Sequence, residues 1–168
     1  MIIKMERKIL IAYYSHSSHT KKIATMIQHK VGGILCEIQP EVEYPREYHA
    51  VVEQAKQEIQ RGFYPPVKSK VENIEEYDTI FIGSPNWWST VAPPIVTFLK
   101  EHDLSEKMVI PFCTHGGGGT GSIESDIAKL CPKSTIRTVF SIYGDGGRDA
   151  EVHISKWLEK IKIDGNKK

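Results

Sequence analysis

The chain has 168 residues, 40 % apolar and 26 % charged, which suits one globular domain with a sizeable core. Its 22 basic and 21 acidic residues leave a formal net charge of +1, and that balance builds no surface for nucleic acid or an anionic membrane. Three cysteines without C-x-x-C spacing, and histidines without H-x-x-x-H or H-E-x-x-H spacing, argue against a disulfide framework, a zinc knuckle and metal catalysis, and for a reducing cytoplasmic setting.

The first element is "KILIAYY" (8–14), a continuous apolar run suited to a strand buried on both faces. It is too short to span a membrane, and no small-residue cleavage site follows it, so a signal peptide is not expected. Ile23, Ile27 and Val31 then recur at helical spacing. "ILCEI" (34–38) reads as a second strand, and Val51, Ala55 and Ile59 mark a second helix that ends near Gly62 and Pro65–Pro66. "DTIFIG" (78–83) reads as a third strand. Pro93 and Pro94 open a third helix with Ile95, Phe98 and Leu99, since proline is tolerated in a first helical turn. "MVIPFCT" (108–114) reads as a fourth strand, although its internal proline weakens the pattern. Ile123, Ile127 and Leu130 mark a fourth helix, "IRTVFSIY" (136–143) alternates like an edge strand, and Ile154, Leu158 and Ile161 mark a last helix. Residues 166–168 read as a frayed tail on a single domain spanning 1–168.

Regular alternation of strand and helix implies a parallel sheet with helices on both faces. Five strands are too few for a (β/α)₈ barrel or for the six-stranded dinucleotide fold. The expected fold class is therefore α/β, a five-stranded doubly wound parallel sheet of order 2-1-3-4-5. In that order a ligand crevice lies at the C-terminal ends of strands 1 and 3.

The loops leaving strands 1, 3 and 4 are chemically unusual. "SHSSHT" (15–20) sets four hydroxyls and two imidazoles at a helix N-terminus, where backbone N–H groups and the dipole favour an anion. Capping by Ser17 or Ser18 would need only one hydroxyl. "SPNWWST" (84–90) places two adjacent indoles in what reads as a loop. "THGGGGTG" (114–121) lets backbone approach a flat ligand and present unshielded N–H groups. Gly116, Gly118 and Gly121 also match G-x-G-x-x-G, but that fingerprint belongs on a first βα turn and here follows the fourth strand. Together the three loops describe a site for a planar, phosphorylated aromatic ligand.

The chain resembles the flavodoxin-like FMN proteins over essentially its whole length. Their phosphate loop runs Ser/Thr-x-Thr-Gly-Asn-Thr. Here Ser15 and Thr20 match, Ser17 is a hydroxyl replacement, and Ser18 and His19 stand where glycine and asparagine are usual. "YDTIFIGSPNWWSTVAPPIVTFL" (77–99) and "PFCTHGGGGTGS" (111–122) are similar to a bacterial subgroup with the forms "YDxIxxGxPxWWxxxxPPxxTFL" and "PFxTHGGxG". The resemblance implies non-covalent FMN. Ser15, Ser17, Ser18, His19 and Thr20 would hold its phosphate, and Pro85, Asn86, Trp87 and Trp88 would line one side of the ring. Thr114, His115, Gly116, Gly117 and Gly118 would approach its other edge. Tyr44 and Tyr48 are further candidate aromatic walls, more often explained by packing.

Two activities follow from the resemblance. One is an oxidoreductase in which NAD(P)H reduces the flavin and a quinone-like small molecule reoxidises it, with His115 as the residue tuning the flavin and no indispensable acid–base group. The other is an electron carrier docking on a redox partner protein. Carriers of this kind are typically strongly acidic, and this chain is nearly neutral, with no carboxylate in "SPNWWST" or "THGGGGTG". Negative charge beside a flavin disfavours its anionic reduced form, so the absence favours the oxidoreductase. The resemblance also allows a homodimer. Trp87 is the indole expected at the ring.

Overall fold

The computed structural model describes residues 7–163. The expected frayed end at 166–168 lies outside them.

The chain runs β1 (Ile9–Tyr13), α1 (His19–Val31), β2 (Ile34–Glu37), α2 (Tyr48–Arg61), β3 (Thr79–Trp87), β4 (Thr90–Val91), α3 (Pro93–Glu101), β5 (Met108–His115), α4 (Ile123–Leu130), β6 (Thr135–Ile136), β7 (Phe140–Tyr143) and α5 (Ala150–Lys160). The main sheet is parallel with the order β2-β1-β3-β5-β6, and β7 also pairs parallel with β5. The expected order 2-1-3-4-5 is therefore present, with its fifth strand in two pieces. The gap between β6 and β7 falls opposite Ile110 and Pro111 of β5, because β6 pairs only with Met108–Val109 and β7 begins at Phe112. Proline has no N–H to donate, and the edge strand breaks beside it.

The apolar run of β1 divides between two cores. Leu10 and Ala12 join Ile80, Ile82 and Val109 beneath α2, α3 and α4, through Val51, Phe98 and Ile127. Ile9, Ile11 and Tyr13 join Phe81, Ile110 and Phe112 beneath α1 and α5, through Ile23, Ile27 and Leu158. Successive side chains of a strand face opposite ways, so a strand covered on both faces must be apolar at every position. No helix among the described residues is long and apolar enough to cross a membrane.

One expectation is corrected. Residues 84–87 continue β3 rather than forming a loop. Ser84 and Pro85 stay in register with Cys113 and Thr114, and Asn86 and Trp87 pair antiparallel with Val91 and Thr90 of β4. The turn is only Trp88–Ser89, both with positive φ (57° and 68°). That is the hairpin turn that matches strand twist, and it normally carries Asn-Gly, so the sequence gives no turn signal at this point.

Candidate functional site

Three segments meet at the C-terminal ends of β1, β3 and β5. The first is the 15–20 segment. Ser18 precedes α1 in the left-handed region (φ 73°), and its side chain makes no capping bond. Ser15 Oγ instead accepts from the backbone N–H of Lys21 at 3.1 Å. Capping therefore does not account for the Ser17 and Ser18 hydroxyls, which are exposed together with His19. First-turn amides have no acceptor inside a helix, so the end of α1 presents N–H groups and hydroxyls to the same space.

Thr20 is buried and sits differently from its neighbours. Its Oγ1 lies 2.8 Å from Oγ1 of Thr114 at the end of β5. The bond joins the 15–20 segment to the glycine loop from below. In the second segment, the half-buried ring of Trp87 meets three rings edge-on: Tyr14 at 5.5 Å, Tyr44 at 5.1 Å and His16 at 5.9 Å between centroids. His16 Nε2 lies 2.9 Å from the Pro45 carbonyl. The two indoles thus take opposite roles. Trp88 is 51 % exposed, donates Nε1–H to the Val52 carbonyl at 3.0 Å and stacks beneath the Lys56 ammonium.

The third segment, the glycine loop, is fastened to the hairpin. Asn86 Nδ2 donates to the Gly119 carbonyl at 2.7 Å, and the Ser122 backbone N–H donates to the Ser89 carbonyl at 2.7 Å. Gly121 (φ 52°) approaches so closely that a Cβ there would lie 2.5 Å from the Ser89 oxygen. A Cβ on Gly116 or Gly117 would meet nothing within 4 Å, so this stretch borders open space. Gly118 faces the Asn86 amide, 3.5 Å from where its Cβ would stand. Gly117 N–H donates to His115 Nδ1 at 3.0 Å, which puts the proton of the neutral ring on Nε2. His115 is half-buried and meets Tyr143 edge-on at 6.0 Å.

Further groups support the site; of these Tyr14 and Glu58 had no signal in the sequence, whereas Tyr44 was a candidate aromatic wall. Tyr14 lies in the apolar run of the first strand, yet its ring supports Trp87. Tyr44 is buried, and its hydroxyl donates to Glu58 at 2.6 Å; Gln54 donates to the other Glu58 oxygen at 3.0 Å. Burial, then Glu58, pushes the Tyr14 and Tyr44 phenols well above the ordinary range. Tyr48 does not join this cluster; it stands 72 % exposed against His49. Asp145 approaches α1 and pairs with Lys22 at 3.2 Å; the Gly147 N–H and Lys22 hold its carboxyl below the usual range. The 15–20 segment also separates two cavities. One, about 490 Å³, lies on the β2 side and reaches Ser15 and Ser17; the other, about 680 Å³, lies toward β7 and α5 and reaches His19.

A group with a phosphate at one end and a flat ring at the other fits these residues. The helix start presents the exposed Ser17 and Ser18 hydroxyls, which make no capping bond, beside first-turn amides that suit a phosphate. The unshielded backbone of Gly116 and Gly117 and the half-buried ring of Trp87 lie at the same end of the sheet and suit a flat ring.

A family model described as "Flavodoxin" matches residues 8–161. A Bacteroides eggerthii protein provisionally designated a flavoprotein is similar at 32 % identity, covering 94 % of this chain and 99 % of its own, with a TM-score of 0.83. A Lactobacillus acidophilus flavoprotein in complex with FMN is 28 % identical, covers 90 % of this chain and 98 % of its own, and has a TM-score of 0.74. Flavodoxin 2 from Bacillus cereus shares the fold at 18 % identity and a TM-score of 0.61, covering 92 % of this chain and 97 % of its own. No curated protein matches the chain.

Proposed function

The chain belongs to the flavodoxin family, and on that premise we propose that it is an FMN oxidoreductase of the cytoplasm that reduces small quinone-like acceptors with NAD(P)H. FMN, when bound, would supply the two-electron redox chemistry between the nicotinamide and the acceptor. This chain's own residues bind, orient and tune. The first-turn amides of α1 with Ser15, Ser17 and Ser18 hold the phosphate. Thr20, bonded to Thr114, keeps that segment against the glycine loop. Trp87 is braced by Tyr14, Tyr44 and His16 and forms the wall on the β3 side. His115 holds a proton at Nε2, a donor for an electron-rich edge of the ring.

The observation that carries the two-electron reading is local charge. The 15–20, 84–90 and 114–121 segments contain no carboxylate. Two acidic groups close to these segments are engaged. Asp145 is paired with Lys22, and Asp126 accepts from Thr90 and Ser122. The hydroxyls, amides and histidine of these three segments would suit the added negative charge of a reduced flavin. An anaerobic reductive titration tests this directly. Conversion to the two-electron form without a one-electron species supports the oxidoreductase. A one-electron species persisting over much of the titration supports the electron carrier instead.

A further inference from the structure

We propose that the cavity of about 490 Å³ between the 15–17 segment and β2 is a nucleotide site, which takes the adenosine-phosphate half of the reduced nicotinamide donor. This rests on the oxidoreductase reading and adds the place where the donor is held.

The cavity is built by paired backbone rather than by a loose loop. Residues 66–69 run against 37–41. Lys68 N–H donates to the Gln39 carbonyl at 2.7 Å, and Glu41 N–H donates to Pro66 at 2.9 Å. Ser69 Oγ donates to the Glu37 carbonyl at 2.6 Å, and Pro40 bridges Val67. The opposite wall is tied down by His16 on the Pro45 carbonyl and by Tyr44 on Glu58.

Four charged side chains line this space: Glu37, Glu43, Arg46 and Lys68. Among the described residues none of the four forms an ion pair; Lys22–Asp145 and Lys30–Glu151 pair elsewhere. Arg46, Lys68 and Glu43 are exposed and Glu37 is half-buried, so all four charges are accessible from this cavity. Left unpaired, they suit a ligand that is anionic at one point and rich in hydroxyls at another. A phosphate takes Arg46 as a planar fork and Lys68 as a point charge. A ribose diol donates to carboxylates, as it does in dinucleotide folds. The volume is within the range of small-molecule sites, about 300–1,000 Å³. The cavity also reaches Ser15 and Ser17, so its occupant would lie beside the proposed FMN phosphate. In sequence, Arg46 and Lys68 stand 22 positions apart; the 66–69 segment folding against 37–41 brings them to one cavity.

The test is calorimetric titration of the FMN-loaded protein with adenosine 2′,5′-bisphosphate and with AMP, beside the Arg46→Ala/Lys68→Ala variant. Both side chains are exposed, so the variant is expected to keep its circular dichroism and its FMN affinity. Saturable nucleotide binding, weakened about tenfold or more in the variant, is the expected result, since the variant removes the charged donors that would hold the phosphate. Tighter binding of the bisphosphate marks an NADPH site and equal binding an NADH site. No binding of either nucleotide, or binding unchanged in the variant, overturns the proposal. Nucleotide binding without NAD(P)H oxidation would contradict the oxidoreductase and leave the site intact. Oxidation unaffected by the double substitution would do the reverse.

Discussion

The hydroxyls of Thr20 and Thr114, 94 positions apart in sequence, meet at 2.8 Å in the buried interior. One begins α1 and the other ends β5. The bond sets the segment suited to a phosphate against the segment suited to a ring edge, so its loss should be felt in stability and in FMN affinity together. Thr20→Val leaves the Thr114 hydroxyl buried without this partner, which costs about 1–3 kcal/mol. Removing both hydroxyls in Thr20→Val/Thr114→Val should cost less than the sum of the single changes. Urea unfolding of the four proteins measures the coupling.

The two indoles should separate cleanly in FMN titrations followed by fluorescence. Trp87→Ala is expected to weaken binding by about 1–3 kcal/mol, the scale of an aromatic stacking contact. It should also lower stability, because Tyr14, Tyr44 and His16 lose a shared neighbour. Trp88→Ala should affect FMN less, since that ring is occupied with Val52 and Lys56. Equal affinities for both variants and the parent would remove Trp87 from the site.

Ser89→Gly should stabilise the protein. Ser89 sits at φ 68° in the hairpin turn, and a left-handed conformation costs a non-glycine residue roughly 1–2 kcal/mol, offset in part by glycine's greater entropy loss. The Ser89 carbonyl that receives the Ser122 N–H is backbone and is kept. A net gain of several tenths to about 1 kcal/mol in thermal or urea unfolding is expected.

Burial raises the thiol of Cys113 to about 12 and that of Cys131 to about 11, from an ordinary 9.0. Above pH 9 the unfolded chain gives up these protons while the folded chain keeps them. The contribution is therefore fully present below pH 9 and falls away between pH 9 and about 12, at up to about 1.4 kcal/mol per pH unit for each thiol. Cys113→Ala should flatten that part of the stability–pH curve relative to the parent. The same burial predicts that a thiol reagent at neutral pH modifies half-buried Cys36 before the other two.

The order of the sheet was legible because each strand is a continuous apolar run and each helix has its own stripe. The continuation of β3 was not. Pro85 and Asn86 are turn residues by composition, and only pairing with β5 and β4 makes them strand. The reverse holds for Trp88–Ser89, a turn set by geometry and closed by Gly121 without any Asn-Gly signal. At the site, the hydroxyls, indoles and glycines announced themselves because their residue types are unusual at strand ends. The supporting groups did not. Glu58 looks like a surface position of a helix until Tyr44 donates to it, and Thr20 looks like another phosphate donor until Thr114 lies opposite.

An oxidoreductase of this kind must accept electrons from a reduced nicotinamide at this site. Anaerobic stopped-flow mixing of the FMN-loaded protein with NADPH and with NADH tests it most directly. Loss of the flavin's visible absorbance is expected on a timescale of about a second with at least one of the two, at the slow end of ordinary enzyme turnover. No loss over minutes with either would contradict it.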